Sequence, residues 1–363
     1  MLAQYLLTKQ QTQRLTAERG MNMADPYGLR RVIEPQGSMP QPAWKIDNTM
    51  VCGEDEILID VDVLNIDAAS FAQIKEEVGA DEAKVAEKMQ EIVTARGKHH
   101  NPVTGSGGML IGRVAEIGSH SSKQKDLHVG DRIATLVSLS LTPLLIKRVK
   151  KVDLATAQVE IEGQAILFDS GLYVKMPEDL PDLVTLAVCD VCGAPAQTAR
   201  LVKPGQTVAV LGAGGKAGTL VLAQARRNLG NSGRLIALEY AESSAAEIRS
   251  MGYADDVIVA DARNPVKTLT LFEQQVGSPL ADLTINCVSV AGTELASIMI
   301  TKDRGLVYFF SMATSFTTAA LGAEGVGKDV DMMIGNGYAH GHAELALDLV
   351  RSEQALLTLF QNK

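Results

Sequence analysis

The residues that most plainly bear on chemistry lie between 207 and 239. An apolar stretch, TVAVLG, runs into Gly212, Ala213, Gly214, Gly215, Lys216, Ala217 and Gly218, and a helical pattern, TLVLAQARRNLG, follows. Glycines in this order make no bonds themselves. Gly212 permits a tight turn, Gly214 lets backbone amides approach a pyrophosphate, and a small residue at Ala217 allows close helix packing. The amino terminus of the following helix then faces negative phosphate. About twenty residues later the segment RLIAL ends at Glu239, whose carboxylate can accept both hydroxyls of a ribose and would repel a 2′-phosphate. Strand, glycine turn, helix and terminal acid together predict a dinucleotide site with NAD, rather than NADP, as the cofactor.

Other chemistry is excluded by composition. The four cysteines, Cys52, Cys189, Cys192 and Cys287, suit reduced thiols, and only Cys189 and Cys192 are near enough in sequence to share a metal, so no zinc ribbon is expected. The formal net charge is −9, and the lysines and arginines are scattered rather than gathered into a basic stripe; nucleic acid is not an expected partner. The longest apolar runs, such as residues 136–146, are too short to cross a bilayer, so no membrane partner is expected. The first twenty residues lack the ordered regions of a secretory signal. They read as a leader preceding Met21 or Met23, with a weaker organelle-targeting reading beside it, and the expected location is cytoplasmic.

The elements that must position the glycine turn follow from periodicity. EILIDVDV, residues 56–63, alternates apolar and acidic residues as a half-buried strand does, and LNIDAAS should turn off its end. Asp81 is placed to cap a helix through Arg96, with Val85, Met89, Ile92 and Val93 on one face. GKHHNPVTGSGG reads as a loop. MLIGRVAEIG, the turn VGDR, IATLVSLSL, and then QVEIEGQAILF and GLYVKMP read as strands of a mostly antiparallel unit. After Pro181 the pattern changes. TVAVLGAG, RLIALEY, DDVIVAD, ADLTINCV, GLVYFFS and DVDMMIGNG alternate with helical segments, the pattern of a doubly wound parallel sheet. The last segment, HAELALDLVRSEQALLTLF, is helical.

This order of elements resembles the medium-chain dehydrogenase/reductase superfamily, with GRVAEIG and VGDRI similar to its catalytic domain and LVKPGQTVAVLGAGG similar to its entry into the cofactor domain. The resemblance implies an α/β fold: a GroES-like substrate domain over residues 1–188, a Rossmann NAD-binding domain over 189–338, and a carboxy-terminal helix, 339–363, packing back across both. Where zinc members of the superfamily carry a cysteine and a Gly-His-Glu, this chain has Asp67 and Gly107-Gly108-Met109. The third ligand would fall near Ala187, with Cys189 close by. No metal is therefore expected. The strings PYGLRRVIEPQG, LNIDAASF, GKHHNPVTGSGGMLIG and IGNGYAHGHAE resemble one zinc-free branch, whose members oxidatively deaminate a small diamino acid with NAD. A homodimer or homotetramer is implied by the same resemblance.

Amine oxidation needs a general base within reach of the amine or of the water that replaces it. Asp67, which occupies the place of a lost metal ligand, Asp190, His99 and His100 are the candidates. The alternatives stay open: Asp67 could cap the following turn, Asp190 could pair ionically at a domain junction, and adjacent histidines are often only solvated. Asn286, Cys287 and Val288, and then Ser311, Met312 and Thr314, end consecutive strands where the resemblance puts the nicotinamide. Cys287 is expected to be a buried structural thiol. Arg30, Lys98, Arg113, Lys328 or the amides of TGSGG could take the substrate carboxylate. His340 and His342 read as surface groups. Two rival functions remain at this point, a zinc-free quinone or enoyl reductase and a nucleotide-binding protein without turnover.

Overall fold

The computed structural model describes residues 24–101, 105, 107–335 and 337–362. The leader expected at residues 1–20 lies outside them. The chain divides into two compact units, Met1–Met176 and Pro177–Lys363.

The first unit is built on a six-stranded antiparallel sheet. Its strands are β3 (Glu56–Asn65), β4 (Met109–Ile117), β5 (Arg132–Thr135), β6 (Leu144–Asp153), β7 (Gln158–Phe168) and β8 (Tyr173–Lys175), in the order β6-β7-β3-β4-β5-β8. A short pair, β1 (Val32–Glu34) with β2 (Lys45–Ile46), precedes it. This pair is fastened by Arg31, whose guanidinium makes two 2.6 Å hydrogen bonds to the Glu56 carboxylate and also reaches the carbonyls of Thr49 and Val51. The expected alternation of β3 holds in its second half, where Val61 and Leu64 are buried and Asp60 and Asp62 are exposed. The first half is covered on both faces. Ile57 and Ile59 enter the main core, while Leu58 packs with Ile166 and Phe168 on the other side.

Two helices follow β3. The first, α1 (Ala68–Val78), occupies residues where only a turn was expected. Asp67 starts it by accepting from the Ser70 amide at 2.9 Å, and Phe71 and Ile74, three apart, turn into the core. The second, α2 (Glu82–Arg96), is the predicted helix. The Asp81 carboxylate caps Ala83 and Lys84, Val85, Met89 and Val93 are buried, and Gly97 ends it in the left-handed region at φ +73°. The expected strand IATLVSLSL stops at Thr135. Beyond it Ser138 diverts the backbone, its Oγ accepting from the Ser140 amide at 3.1 Å and its carbonyl from the Thr142 hydroxyl at 3.0 Å.

The second unit is a six-stranded parallel sheet of β9 (Thr207–Leu211), β10 (Arg234–Glu239), β11 (Asp256–Val259), β12 (Ala281–Asn286), β13 (Thr301–Phe309) and β14 (Asp331–Ile334). The order is β11-β10-β9-β12-β13-β14, so the direction of winding reverses beside β9, and ligands of such sheets collect at the carboxyl ends near that reversal. Its helices are α3 (Asp182–Cys189), α4 (Gly193–Leu201), α5 (Lys216–Leu229), α6 (Glu242–Met251), α7 (Pro265–Val276), α8 (Glu294–Met299), α9 (Phe316–Val326), α10 (His342–Ser352) and α11 (Gln354–Asn362). The division at Met176 falls ahead of the boundary expected at 188, and the terminal helices explain why. α10 packs on α3, α4 and α5, and α11 on α3 and α5, so all of them belong to the parallel-sheet unit. No helix among the described residues is long and apolar enough to cross a membrane.

Candidate functional site

In the parallel-sheet unit the glycine turn joins β9 to α5. Gly212 has φ +69°, and a β-carbon there would come within 3.0 Å of the Val288 amide nitrogen. At Gly214 it would meet Ser244 and the Glu239 carboxylate at 2.9 and 3.0 Å. The position that demands a missing side chain most severely is Gly218, one residue beyond Ala217: a β-carbon there would lie 2.2 Å from the Gly212 carbonyl oxygen. Helix α5 therefore sits directly against the turn. Its cap residue is Gly215, which supplies no side-chain acceptor, so the first-turn amides remain for an anion. Lys216 opens the helix.

Glu239 ends β10 as expected. One carboxylate oxygen accepts from the Gly214 amide and the other from the Tyr240 amide, each at 2.8 Å. Beside it opens a cavity of about 430 Å³ whose lining includes Glu239, Tyr240, Asp261, Arg263, Val288 and Thr293. Arg263 is held by Asp261 through hydrogen bonds of 2.9 and 2.8 Å. A glycine-rich turn, an uncapped helix start and an adjoining, mainly apolar cavity fit a dinucleotide.

At the ends of β12 and β13, Asn286 is a structural bolt. Its amide nitrogen donates to the Thr293 and Ser297 hydroxyls, both at 2.9 Å, and its oxygen accepts from the Val288 amide at 2.9 Å. The Asn286 carbonyl also accepts from Phe310 and Ser311, tying the two strand ends together. Ser311 in turn accepts from the Ala313 amide. Burial pushes the Cys287 thiol up to about 12, so it is no thiolate at neutral pH. Cys189 is likewise pushed to about 12, and the Cys192 thiol donates to the Cys189 carbonyl. Among the described residues no three His, Cys, Asp or Glu side chains cluster as metal ligands.

In the antiparallel-sheet unit the structure brings Asp67, His99 and His100 together. A pocket of about 170 Å³ opens between α1, α2 and the residues after Gly97, and Ser70, Gln73, Glu77, Arg96, His99 and His100 line it. Asp67 reaches the pocket through Ser70, whose hydroxyl donates to the second Asp67 oxygen at 2.5 Å. His99 is buried. Its Nδ1 donates to the Gly107 carbonyl at 3.2 Å, which fixes the tautomer and leaves Nε2 as a lone pair, and that atom has no partner among the described residues. Burial holds both histidines down to about 4, with Lys98 and Arg96 adding to the shift at His100. Both are neutral at pH 7. Asp190, in the other unit, is the exposed carboxy-terminal cap of α3.

The carboxylate candidates separate clearly. Arg30 is paired with Asp25 and Asp55, Lys328 donates to the Thr301 carbonyl, and Arg113 reaches the Gly130 carbonyl on the surface. Lys98 is buried against two carbonyls. Of TGSGG, residues 104 and 106 lie outside the described set. Sequence reasoning missed Arg96 and Ser70, although the helical spacing of Ser70 from Asp67 was there to be read. His342 was expected on the surface but is buried edge-on against Tyr338 at 5.1 Å, because it opens the amphipathic helix α10.

Over 92% of its length and 97% of the relative's, the chain is 54% identical to the L-erythro-3,5-diaminohexanoate dehydrogenase of Acetoanaerobium sticklandii. The chain belongs to the L-erythro-3,5-diaminohexanoate dehydrogenase family. Identity to the Fusobacterium nucleatum relative of the same name is 49%, over 92% of this chain and 97% of that one, and residues 30–177 match the model of the family's amino-terminal domain. Among solved structures, a mycobacterial protein complexed with NADPH superposes with a TM-score of 0.55 at 15% identity, covering 87% of this chain and 90% of that one. This likeness concerns the fold, a Rossmann domain combined with a GroES-like one. As a member of the diaminohexanoate dehydrogenase family the chain is an oxidoreductase that uses a nicotinamide cofactor.

Proposed function

We propose that the enzyme oxidises L-erythro-3,5-diaminohexanoate at carbon 3 with NAD and water, giving 5-amino-3-oxohexanoate, ammonium, NADH and a proton, as a step of lysine fermentation. The observation that carries this reading is the identity of 54% and 49% to relatives of that name along 92% of the chain. NAD is favoured over NADP by Glu239 at the end of β10, where a carboxylate opposes a 2′-phosphate. Arg263, the cation lining the adjoining cavity, is already held by Asp261 and so is not free to receive that phosphate.

A bound nicotinamide would supply the hydride acceptor for carbon 3. The protein must hold the amine neutral while this happens and then take a proton from the attacking water. Asp67 is the acceptor we assign, with the Ser70 hydroxyl as its relay into the pocket. His99 and His100, held to about 4, are too weakly basic at pH 7 to take that proton, but His99 Nε2 can accept a hydrogen bond. The enzyme is proposed to act as a homodimer or homotetramer through the edge strand β14, which exposes Ile334 and Met332.

The deciding assay follows NADH absorbance and ammonium release together, with NAD or NADP, with and without a chelator. Turnover of the diamino acid with NAD, unaffected by chelation, is expected. Silence with the diamine alongside reduction of quinones or enoyl compounds would overturn the substrate and leave the fold untouched.

A further inference from the structure

The pocket between α1 and α2 carries a surplus of buried positive charge. Arg96 is 8% exposed and Lys98 is 0% exposed. Neither has a carboxylate partner among the described residues. Arg96 donates to His100 Nδ1 at 3.2 Å and to the His100 carbonyl at 3.4 Å, and its guanidinium lies 3.9 Å from the centre of the Trp44 ring. Lys98 donates to the carbonyls of Pro40 and Gln41 at 2.6 and 2.8 Å. The two acids at the pocket are already engaged, Glu77 by Lys88 at 2.5 Å and Asp67 by the Ser70 amide and hydroxyl. Buried charges of this kind are normally paired, because desolvation without a counter-ion is costly. The positive surroundings are felt locally: Lys98 is lowered to about 8, by burial and by the Arg96 charge.

A second observation also points to a missing ligand. His99, 1% exposed, lines the same pocket, and its Nε2 is a buried acceptor without a donor among the described residues. An anion and a hydrogen-bond donor on one small molecule would satisfy both the cations and the His99 acceptor. At about 170 Å³ the pocket lies below the usual range for a drug-sized ligand and suits one end of a short chain.

We infer that this pocket seats the carboxylate of an amino-acid substrate, with the Arg96 guanidinium as its cation and the His99 Nε2 lone pair facing the neighbouring amine. The inference rests on the deamination reading for the identity of the molecule, and on the unpaired cations for its position. It assigns to Arg96 the role for which Arg30, Lys98, Arg113 and Lys328 were the sequence candidates. Lys98 contributes field from behind the pocket and holds the segment at Pro40.

The structure supplies its own probe, because Trp44 is the single tryptophan of the chain and stacks on Arg96. The full-length protein is titrated with 3-aminobutanoate and with 3-aminobutanamide at constant ionic strength, and Trp44 emission is recorded. A saturable change with the acid is expected, with binding of the amide at least about tenfold weaker, since a charge-assisted contact is lost. Arg96→Lys should weaken the acid by about ten- to hundredfold, because a point charge cannot reproduce the planar fork. Equal response to acid and amide, or none to either, overturns the inference, and this comparison needs no variant to fold. Turnover of the diamino acid measured in parallel separates the two ideas: emission change without turnover removes the substrate reading and keeps the anion pocket, and turnover without emission change does the reverse.

Discussion

Asp67 caps α1 and is the proton acceptor we propose, and a single substitution can part the two roles. As the cap of α1 it needs only an oxygen acceptor, which asparagine provides; as a proton acceptor it needs its charge. Asp67→Asn should therefore keep stability within about 0.5 kcal/mol while lowering kcat by roughly 10²–10⁴-fold. Asp67→Ala should in addition lose about 1 kcal/mol of stability in urea unfolding. Full turnover by Asp67→Asn would reduce the residue to its cap. Glu239 poses a similar question. Glu239→Gln retains acceptors for the Gly214 amide and the ribose but removes the charge, so the ratio of KM values for NADP and NAD should fall by about tenfold. Glu239→Ala should weaken NAD as well. Unchanged KM values for both cofactors would remove Glu239 from the ribose site.

Among the elements, the glycine turn divides into positions that tolerate a methyl group and one that does not. A β-carbon at Gly215 meets nothing closer than 3.6 Å, whereas at Gly218 it would meet the Gly212 carbonyl oxygen at 2.2 Å. Gly215→Ala should leave unfolding by urea within about 0.5 kcal/mol of the parent. Gly218→Ala should lose about 1–3 kcal/mol and weaken NADH binding, because α5 must retreat from the turn that it braces. Equal stability of the two variants would contradict this packing. This turn was legible in the sequence because strand, glycines and helix are contiguous, although the spacing of the motif pointed to Ala217. Strand β6 and helix α1 were not read. The charged run from Lys147 to Lys151 hid the alternation of β6, and the start of α1 at Asp67 was absorbed into a turn. The partner of Arg96 was beyond any local pattern, since Trp44 reaches it only through the tertiary fold.

For the molecule as a whole, each unit has a hydrophobic core of its own, one around Ile57, Ile59 and Met89 and another around Leu211, Ile236 and Phe272. A fragment comprising residues 177–363 should accordingly fold alone and bind NADH, detected by the enhanced fluorescence of the reduced nicotinamide, and should show no turnover. Failure of that soluble fragment to bind would mean that the cofactor site is incomplete without the first unit. The doubly wound half announced itself from sequence through strands and helices that alternate at short range. The extent of that half did not, because α3 and the terminal helices join it by packing that is remote in sequence.

Gly107 and Gly108 lead into β4, and the Gly107 carbonyl receives the His99 hydrogen bond. A β-carbon at Gly107 would lie 2.4 Å from the His99 carbonyl oxygen, and one at Gly108, where φ is +94°, would lie 2.1 Å from that of Asn65. Every coordinating side chain begins with that carbon. A metal-binding side chain therefore cannot be installed at either position without displacing neighbouring backbone, and a variant carrying one should fold less well than the parent. This stretch is closed to coordination chemistry not by charge or polarity but by two positions that contain no side chain at all.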